Sequence, residues 1–249
     1  MTGGPRSGGT TLLVIAKEPV PGRVKTRLTP PYTPQQAALL AEAALADTLE
    51  LAARLPVRRR VLVLAGRPGP WLPEGFEVVP QSGGGLDERI AAAFALCDGP
   101  ALIVGMDTPQ LTRTLLWPAL APDAWDGCDA WFGPAADGGF WALGLAVPDP
   151  ALVRGVPMSA PDTGAAQRHR LLAAGLAVRE LPVLSDVDTA RDAAEIAALC
   201  ERAAAAAEPG GGADVADGED TAGGTGGVGA GNGSRFAAVF ARLQPEAAR

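Results

Sequence analysis

Short apolar runs alternate with longer Ala/Leu-rich stretches of helical period through most of this chain, and that alternation constrains the fold most. The runs are "TLLVIA" (Thr11 to Ala16), "RVLVLAG" (Arg60 to Gly66), "FEVVPQ" (Phe76 to Gln81) and "ALIVG" (Ala101 to Gly105). The first is ended by a turn-rich segment, the pattern of a buried parallel strand, and the others read as further strands. Between the first two lies "TPQQAALLAEAALADTLELAARL", with Thr33 as a helix cap and Pro34 at the first helical position. "LDERIAAAFALC" supplies a helix before the fourth run. Strands and helices in this order predict a parallel sheet covered by helices on both faces. "CDAWFG" and "GFWALGL" flank "PAADG" and predict an antiparallel excursion. A helix "DTGAAQRHRLLAAG", a strand "LAVRELPV" and a last long helix "TARDAAEIAALCERAAAAA" follow.

The ends differ from this body. Residues 1–10, rich in Gly, Ser and Thr, read as disordered and lack the apolar stretch of a signal peptide. From Glu208 to Ser234 the chain is Gly/Ala/Asp-rich with almost no apolar side chains, the composition of a flexible linker. Beyond it "SRFAAVFARLQ" places Phe236, Val239, Phe240 and Leu243 on one helical stripe, within a short amphipathic helix expected over 235–249. The stripe is expected to dock back on the domain, since exposed apolar stripes are uncommon. The domain itself is expected to span 11–207 and to fold without residues 208–249.

Charge narrows the partners. The net charge of −7 and pI near 4.8 argue against a nucleic-acid or anionic-membrane surface. No apolar run is long enough to span a bilayer. Cys97, Cys128 and Cys200 are odd in number and widely spaced, which suits free thiols in a reducing, cytoplasmic setting. Against this acidic background "KEPVPGRVKTRL" (Lys17 to Leu28) is a basic exception, and it holds both lysines of a chain that otherwise uses nineteen arginines. Lys25, Arg23 and Arg27 around Gly22 suit a small phosphate-bearing ligand, an ammonium acting as a point charge beside planar guanidinium forks. A solvated basic loop is the plainer alternative.

Ligands of open α/β sheets sit at the carboxyl ends of parallel strands. The basic loop follows the first strand. "MDTPQL" follows the fourth and puts Asp107 at a strand end, where it could hold a hard divalent cation or form a turn. "SDVDTARD" brings Asp186, Asp188 and Asp192, with Asp188 readable as a second carboxylate ligand or as a helix N-cap. "GPAADGG" carries Asp137, Gly138 and Gly139, either a hairpin turn or a place of close backbone approach to a ligand. "QSGGGLDER" offers Gln81, Gly84 and Arg89 ahead of a helix N-terminus, suited to a base or phosphate or to nothing beyond a loop. His169, the single histidine, sits on an exposed helical face and assembles no nucleophilic triad.

These five motifs, in this order from Thr11 to Glu201, resemble a bacterial family of the GT-A, nucleotide-diphospho-sugar transferase superfamily, whose members include glycosyltransferases of arsenosugar biosynthesis. The core is also similar to 2-phospholactate guanylyltransferases and to sugar nucleotidyltransferases. The resemblance implies a three-layer α/β/α, Rossmann-like fold with a mixed, mostly parallel sheet. It implies a cytoplasmic, metal-dependent transferase, monomeric or homodimeric, using Mg2+ or Mn2+. The donor would be a nucleotide-sugar, with transfer to a small-molecule acceptor. In the guanylyltransferase-like alternative a nucleoside triphosphate is joined to a phosphorylated small molecule; a nucleotide-binding scaffold is a further alternative. Carried over by residue, Lys25, Arg27, Arg23 and Gly22 would contact phosphate, with Lys17 at the rim. Gln81, Gly84 and Arg89 would contact the nucleotide, and Asp107 and Asp188 would hold the metal. Asp137, Gly138 and Gly139 would face the sugar or acceptor, making Lys25, Asp107 and Asp137 the catalytic set. The chain departs from the family pattern at Asp87, where Gly is usual, at Phe140 in place of Tyr, and at "MSAPDT" in place of a Trp-Ser segment.

Overall fold

A computed structural model describes residues 9–207 and 234–244. Seven strands form one sheet: β1 Thr11–Lys17, β2 Arg59–Ala65, β3 Glu77–Pro80, β4 Ala101–Val104, β5 Ala130–Pro134, β6 Phe140–Leu145 and β7 Val178–Glu180. Their spatial order is β3-β2-β1-β4-β6-β5-β7. β6 is antiparallel to both β4 and β5, and every other pairing is parallel. The reversed β6 is the excursion legible around "PAADG". It makes the sheet mixed and mostly parallel, as the resemblance implies.

Six helices accompany the sheet among the described residues: α1 Pro34–Arg54, α2 Leu86–Phe94, α3 Arg113–Leu120, α4 Thr163–Ala173, α5 Ala190–Ala207 and α6 Arg235–Leu243. α1 begins as its sequence predicts. Thr33 and Gln36 exchange side-chain-to-backbone hydrogen bonds in a capping box, and Pro34 opens the helix. α3 is not predicted from the sequence, because Pro118 interrupts its pattern; its start is fixed by Thr112 Oγ1, which accepts from Leu115 N.

Period-2 alternation in β1 sends Leu12 and Val14 to one face and Leu13 to the other. The first face packs on α1 and α3 through Leu45, Leu49, Leu116 and Leu120. The second packs on α2 and α4 through Ile90, Phe94 and Leu171. A third cluster lies on the other side of α1, where Leu40 and Ala44 meet Ile196 and Ala197 of α5 and Phe236 of α6. α1 is thus covered on two sides, which accounts for its nearly unbroken Ala/Leu composition.

α6 docks on the body as its stripe predicts. Phe236 is fully buried, in a cluster that also contains Leu28, Tyr32 and Val187. The linker expected over 208–234 lies outside the described residues except for Ser234, which caps α6. Residues 1–8 and 245–249 also lie outside them. The three cysteines are free; Cys128 and Cys200 are buried.

Candidate active site

β1 and β4 are neighbours and parallel, so the segments leaving their carboxyl ends emerge side by side. One is the basic loop and the other is "MDTPQL". Lys25 has φ 48 and ψ 41, a left-handed backbone that costs a non-glycine residue about 1 kcal/mol or more. Leu28 N donates to the Lys25 carbonyl at 3.0 Å and closes a 3-10 turn over Thr26–Leu28 that fixes this conformation. Lys25 Nζ then lies 2.8 Å from Asp107 Oδ2, with only 10% of the Lys25 side chain exposed.

The other Asp107 oxygen, Oδ1, is buried and has no hydrogen-bond partner among the described residues. Among the described residues the Asp107 carboxylate accepts from no backbone N–H. The Asp107 carbonyl instead accepts from Val187 N at 3.0 Å, which ties the "SDVDTARD" segment to the end of β4. That contact brings in Asp186. Burial, and then the neighbouring Asp107 carboxylate, raise the Asp186 pKa from 3.8 to about 7, against the opposing pull of Lys25. Asp137 and Asp188 add to the same negative field.

Asp188 is engaged differently. Its Oδ2 accepts from Arg27 Nη1 at 2.5 Å, and the bond and charge of this pair raise the Arg27 pKa. Asp188 is not the helix cap: Thr189 and Asp192 form the reciprocal cap at the start of α5. Asp186 was visible in the sequence only as one of three carboxylates in a run. What distinguishes it is the residue beside it, since Val187 is anchored in the core and turns Asp186 toward Asp107.

The remaining predicted residues fall around this centre with varied duties. Lys17 and Arg23 are exposed, Lys17 at the end of β1. Gly22 has φ 75 and starts the turn into the basic loop. Gln81 is spent on the protein: its Nε2 donates to the carbonyls of Ala16 at 2.7 Å and Val63 at 3.1 Å, clamping the ends of β1 and β2. Arg89 donates to the Gly84 carbonyl at 3.0 Å and to Gln81 Oε1 at 3.4 Å, holding the glycine loop on α2. Asp137 is exposed, and its Oδ1 accepts from Gly139 N at 2.9 Å, a tight local turn. Gly138 is required sterically: φ is 90, and a Cβ there would lie 1.8 Å from the Pro161 carbonyl oxygen. Asp87 takes a structural part, accepting from Gly155 N at 2.9 Å and linking α2 to the segment before α4.

The donor set fits a hard divalent cation in a limited way. A buried carboxylate oxygen without a partner, beside a second carboxylate whose ionisation is suppressed, is what such an ion would relieve. Among the described residues no group of three His, Cys, Asp or Glu side chains converges to hold an ion. The protein alone offers a pair of carboxylates, and the remaining positions would fall to ligand oxygens and water, as is usual for Mg2+.

The reversed β6 within an otherwise parallel sheet is that of the nucleotide-diphospho-sugar transferase fold. The chain belongs to the bacterial family described as "Uncharacterized protein conserved in bacteria (DUF2064)", whose profile matches residues 36–160. A protein of Desulfovibrio desulfuricans G20, provisionally assigned as a nucleotide-diphospho-sugar transferase, is similar in structure with a TM-score of 0.65 and 28% identity. The likeness covers 72% of this chain and 82% of that one. A Mycobacterium sp. strain JC1 homologue of Mycobacterium tuberculosis rv0371c aligns at TM-score 0.45 and 19% identity, over 77% of this chain and 98% of that one. CMP:2-keto-3-deoxy-manno-octonic acid synthetase, in complex with CTP, aligns at 0.49 and 12%, over 78% and 99%. No curated protein matches the sequence.

Proposed function

We propose that the protein is a transferase that uses a nucleotide-diphospho-sugar, with Lys25 and Asp107 at the centre of its active site. The observation that carries this is the Lys25–Asp107 pair. A lysine held in a left-handed backbone presents a nearly buried ammonium to a strand-end carboxylate that keeps one oxygen free. Lys25 contributes a fixed positive charge where a diphosphate leaving group accumulates negative charge, with Arg23 and Arg27 at the exposed side. Asp107 and Asp186 would hold a divalent cation, Mg2+ or Mn2+, whose chemistry is to neutralise the phosphate oxygens of the leaving group. Asp188 keeps Arg27 extended toward the site until a phosphate competes for it. Asp137 faces the same field from the β5–β6 turn and is positioned to accept a hydroxyl proton from an acceptor.

The provisional sugar-transferase assignment of the Desulfovibrio protein supports sugar rather than nucleotidyl transfer. The same residues would serve either reaction, since both separate negative charge onto phosphates at this place. Product identity tests the choice. Incubation with nucleotide-sugars and with nucleoside triphosphates, across a panel of small hydroxyl and phosphate acceptors, should release a nucleoside diphosphate. Pyrophosphate release that requires Lys25 would replace sugar transfer with nucleotidyl transfer. A thermal-shift panel of the same nucleotides with and without Mg2+ or Mn2+ selects the donor class beforehand, because saturating ligand adds about 2.7 kcal/mol at a hundredfold excess over Kd.

A further inference from the structure

The third apolar cluster joins segments that lie far apart in sequence. α6 presents Phe236, Ala237, Val239, Phe240 and Leu243 to the groove between α1 and α5. Its N-terminus is received by Asp47 of α1, whose carboxylate accepts from Ser234 Oγ at 2.6 Å, Arg235 N at 2.9 Å and Phe236 N at 2.9 Å. Its far end reaches Tyr32, where Gln244 Nε2 donates to the hydroxyl at 3.0 Å and the Phe240 ring lies 6.5 Å from the tyrosine ring. The same cluster contains Leu28 and Val187, both essentially inaccessible to water. Leu28 closes the turn that fixes Lys25 and follows Arg27. Val187 lies between Asp186 and Asp188 and bonds to the Asp107 backbone.

We propose that α6 is a positioning segment for the active-site loops, a separable helix whose docking between α1 and α5 keeps the Lys25–Leu28 turn and the Asp186–Asp188 segment in place. α6 belongs to no strand ladder, and among the described residues its polar ties to the body are few: Asp47, Tyr32 and an Arg235–Glu50 ion pair at 3.3 Å. Its release therefore breaks no sheet hydrogen bond, so it opens at lower cost than the sheet. Release removes the fully buried Phe236 from the packing that Leu28 and Val187 share, so the anchors of both loops loosen together. The coupling stands on this packing alone; its consequence for catalysis rests on the function proposed above.

Native-state hydrogen exchange on the full chain, over a range of denaturant below the unfolding transition, tests this in the wild type first. The amides of Leu28, Tyr32 and Val187 are hydrogen-bonded to backbone carbonyls and report opening. They should open as one unit with the α6 amides of Ala237 and Ala238, below the global transition that governs Leu13, Val63 and Ile103. Phe240→Ala should lower protection of α6 and of these three amides by the same factor, about tenfold or more, while the sheet amides, which open only in the global transition, fall by no more than that factor and stay the most protected. Phe240→Leu should restore most of it. Leu28 and Val187 exchanging with the sheet in the wild type, or keeping their protection while α6 loses its own, would overturn the proposal. Titration of a nucleoside diphosphate with Mn2+ forms a separate arm. If the wild type binds, Phe240→Ala should weaken binding, and unchanged affinity would overturn the positioning role. If the wild type binds none while exchange is coupled as described, the functional reading fails and the coupling is upheld.

Discussion

Replacing Asp186 by Asn should make the free protein more stable near neutral pH while removing a proposed cation ligand. Asp186 is half-buried beside Asp107, and its pKa rises from 3.8 to about 7, first by burial and then by the neighbouring carboxylate. A carboxyl whose folded pKa is raised binds its proton more tightly in the folded state. Its favourable contribution is therefore complete below the unfolded value near 3.8 and is lost as pH rises to about 7. At about 1.4 kcal/mol for each tenfold in proton affinity, the full loss is roughly 4 kcal/mol, and about 2 kcal/mol once water reaching the half-buried carboxyl screens it. Asn keeps the shape and cannot ionise, so the variant avoids this loss. Urea unfolding of both proteins from pH 4 to pH 8, without divalent cation, should give curves that separate as pH rises, with Asp186→Asn more stable at the upper end. A cation that favours the ionised pair should narrow the gap by stabilising only the wild type. Parallel pH profiles for the two proteins would refute the reasoning, because Asp186 would then titrate as an ordinary carboxyl.

Lys25→Ala should weaken binding of a nucleoside diphosphate by about tenfold or more, with Lys25→Arg recovering only part of it because the planar fork places its charge differently; calorimetric titration measures both. Phe236→Ala should cost about 3–5 kcal/mol in chemical denaturation, as expected for emptying a fully buried aromatic site; a loss under about 1 kcal/mol would mean that α6 does not belong to the core. Gly138→Ala should destabilise by about 2 kcal/mol or more, since its backbone is left-handed and its Cβ would meet the Pro161 carbonyl; equilibrium unfolding checks it.

The body of the fold was legible because strand and helix periods differ and each strand is bounded by turn residues. The order of β1 to β4, the reversal at β6 and the capping box of α1 all follow from local pattern. α3 was hidden by Pro118, an internal proline that local rules read as a breaker. The role of Phe236 was hidden for a different reason. Its partners Leu28, Leu40 and Val187 lie far from it in sequence, and a long polar segment precedes it, so only tertiary packing reveals that it joins their cluster. At the site, Lys25 and Asp107 could be picked out because they follow neighbouring parallel strands. Which carboxylate of the run lies beside Asp107 depends on the way the backbone turns at Val187, and no spacing rule carries that. Gln81 and Arg89, whose residue types suit a nucleotide, also make hydrogen bonds within the protein that brace the strand ends and the glycine loop, which the sequence does not reveal.

The central claim is that Lys25 and Asp107 form a phosphate and cation site at the ends of β1 and β4. Titration of a nucleoside diphosphate into wild type and Asp107→Asn, each with and without Mn2+, addresses it most directly, with the fold of the variant checked by its cooperative melt. The wild type should bind more tightly with the ion by about tenfold or more, about 1.4 kcal/mol, and the folded variant should lose that dependence. A folded Asp107→Asn protein that keeps the full dependence on Mn2+ would contradict the account.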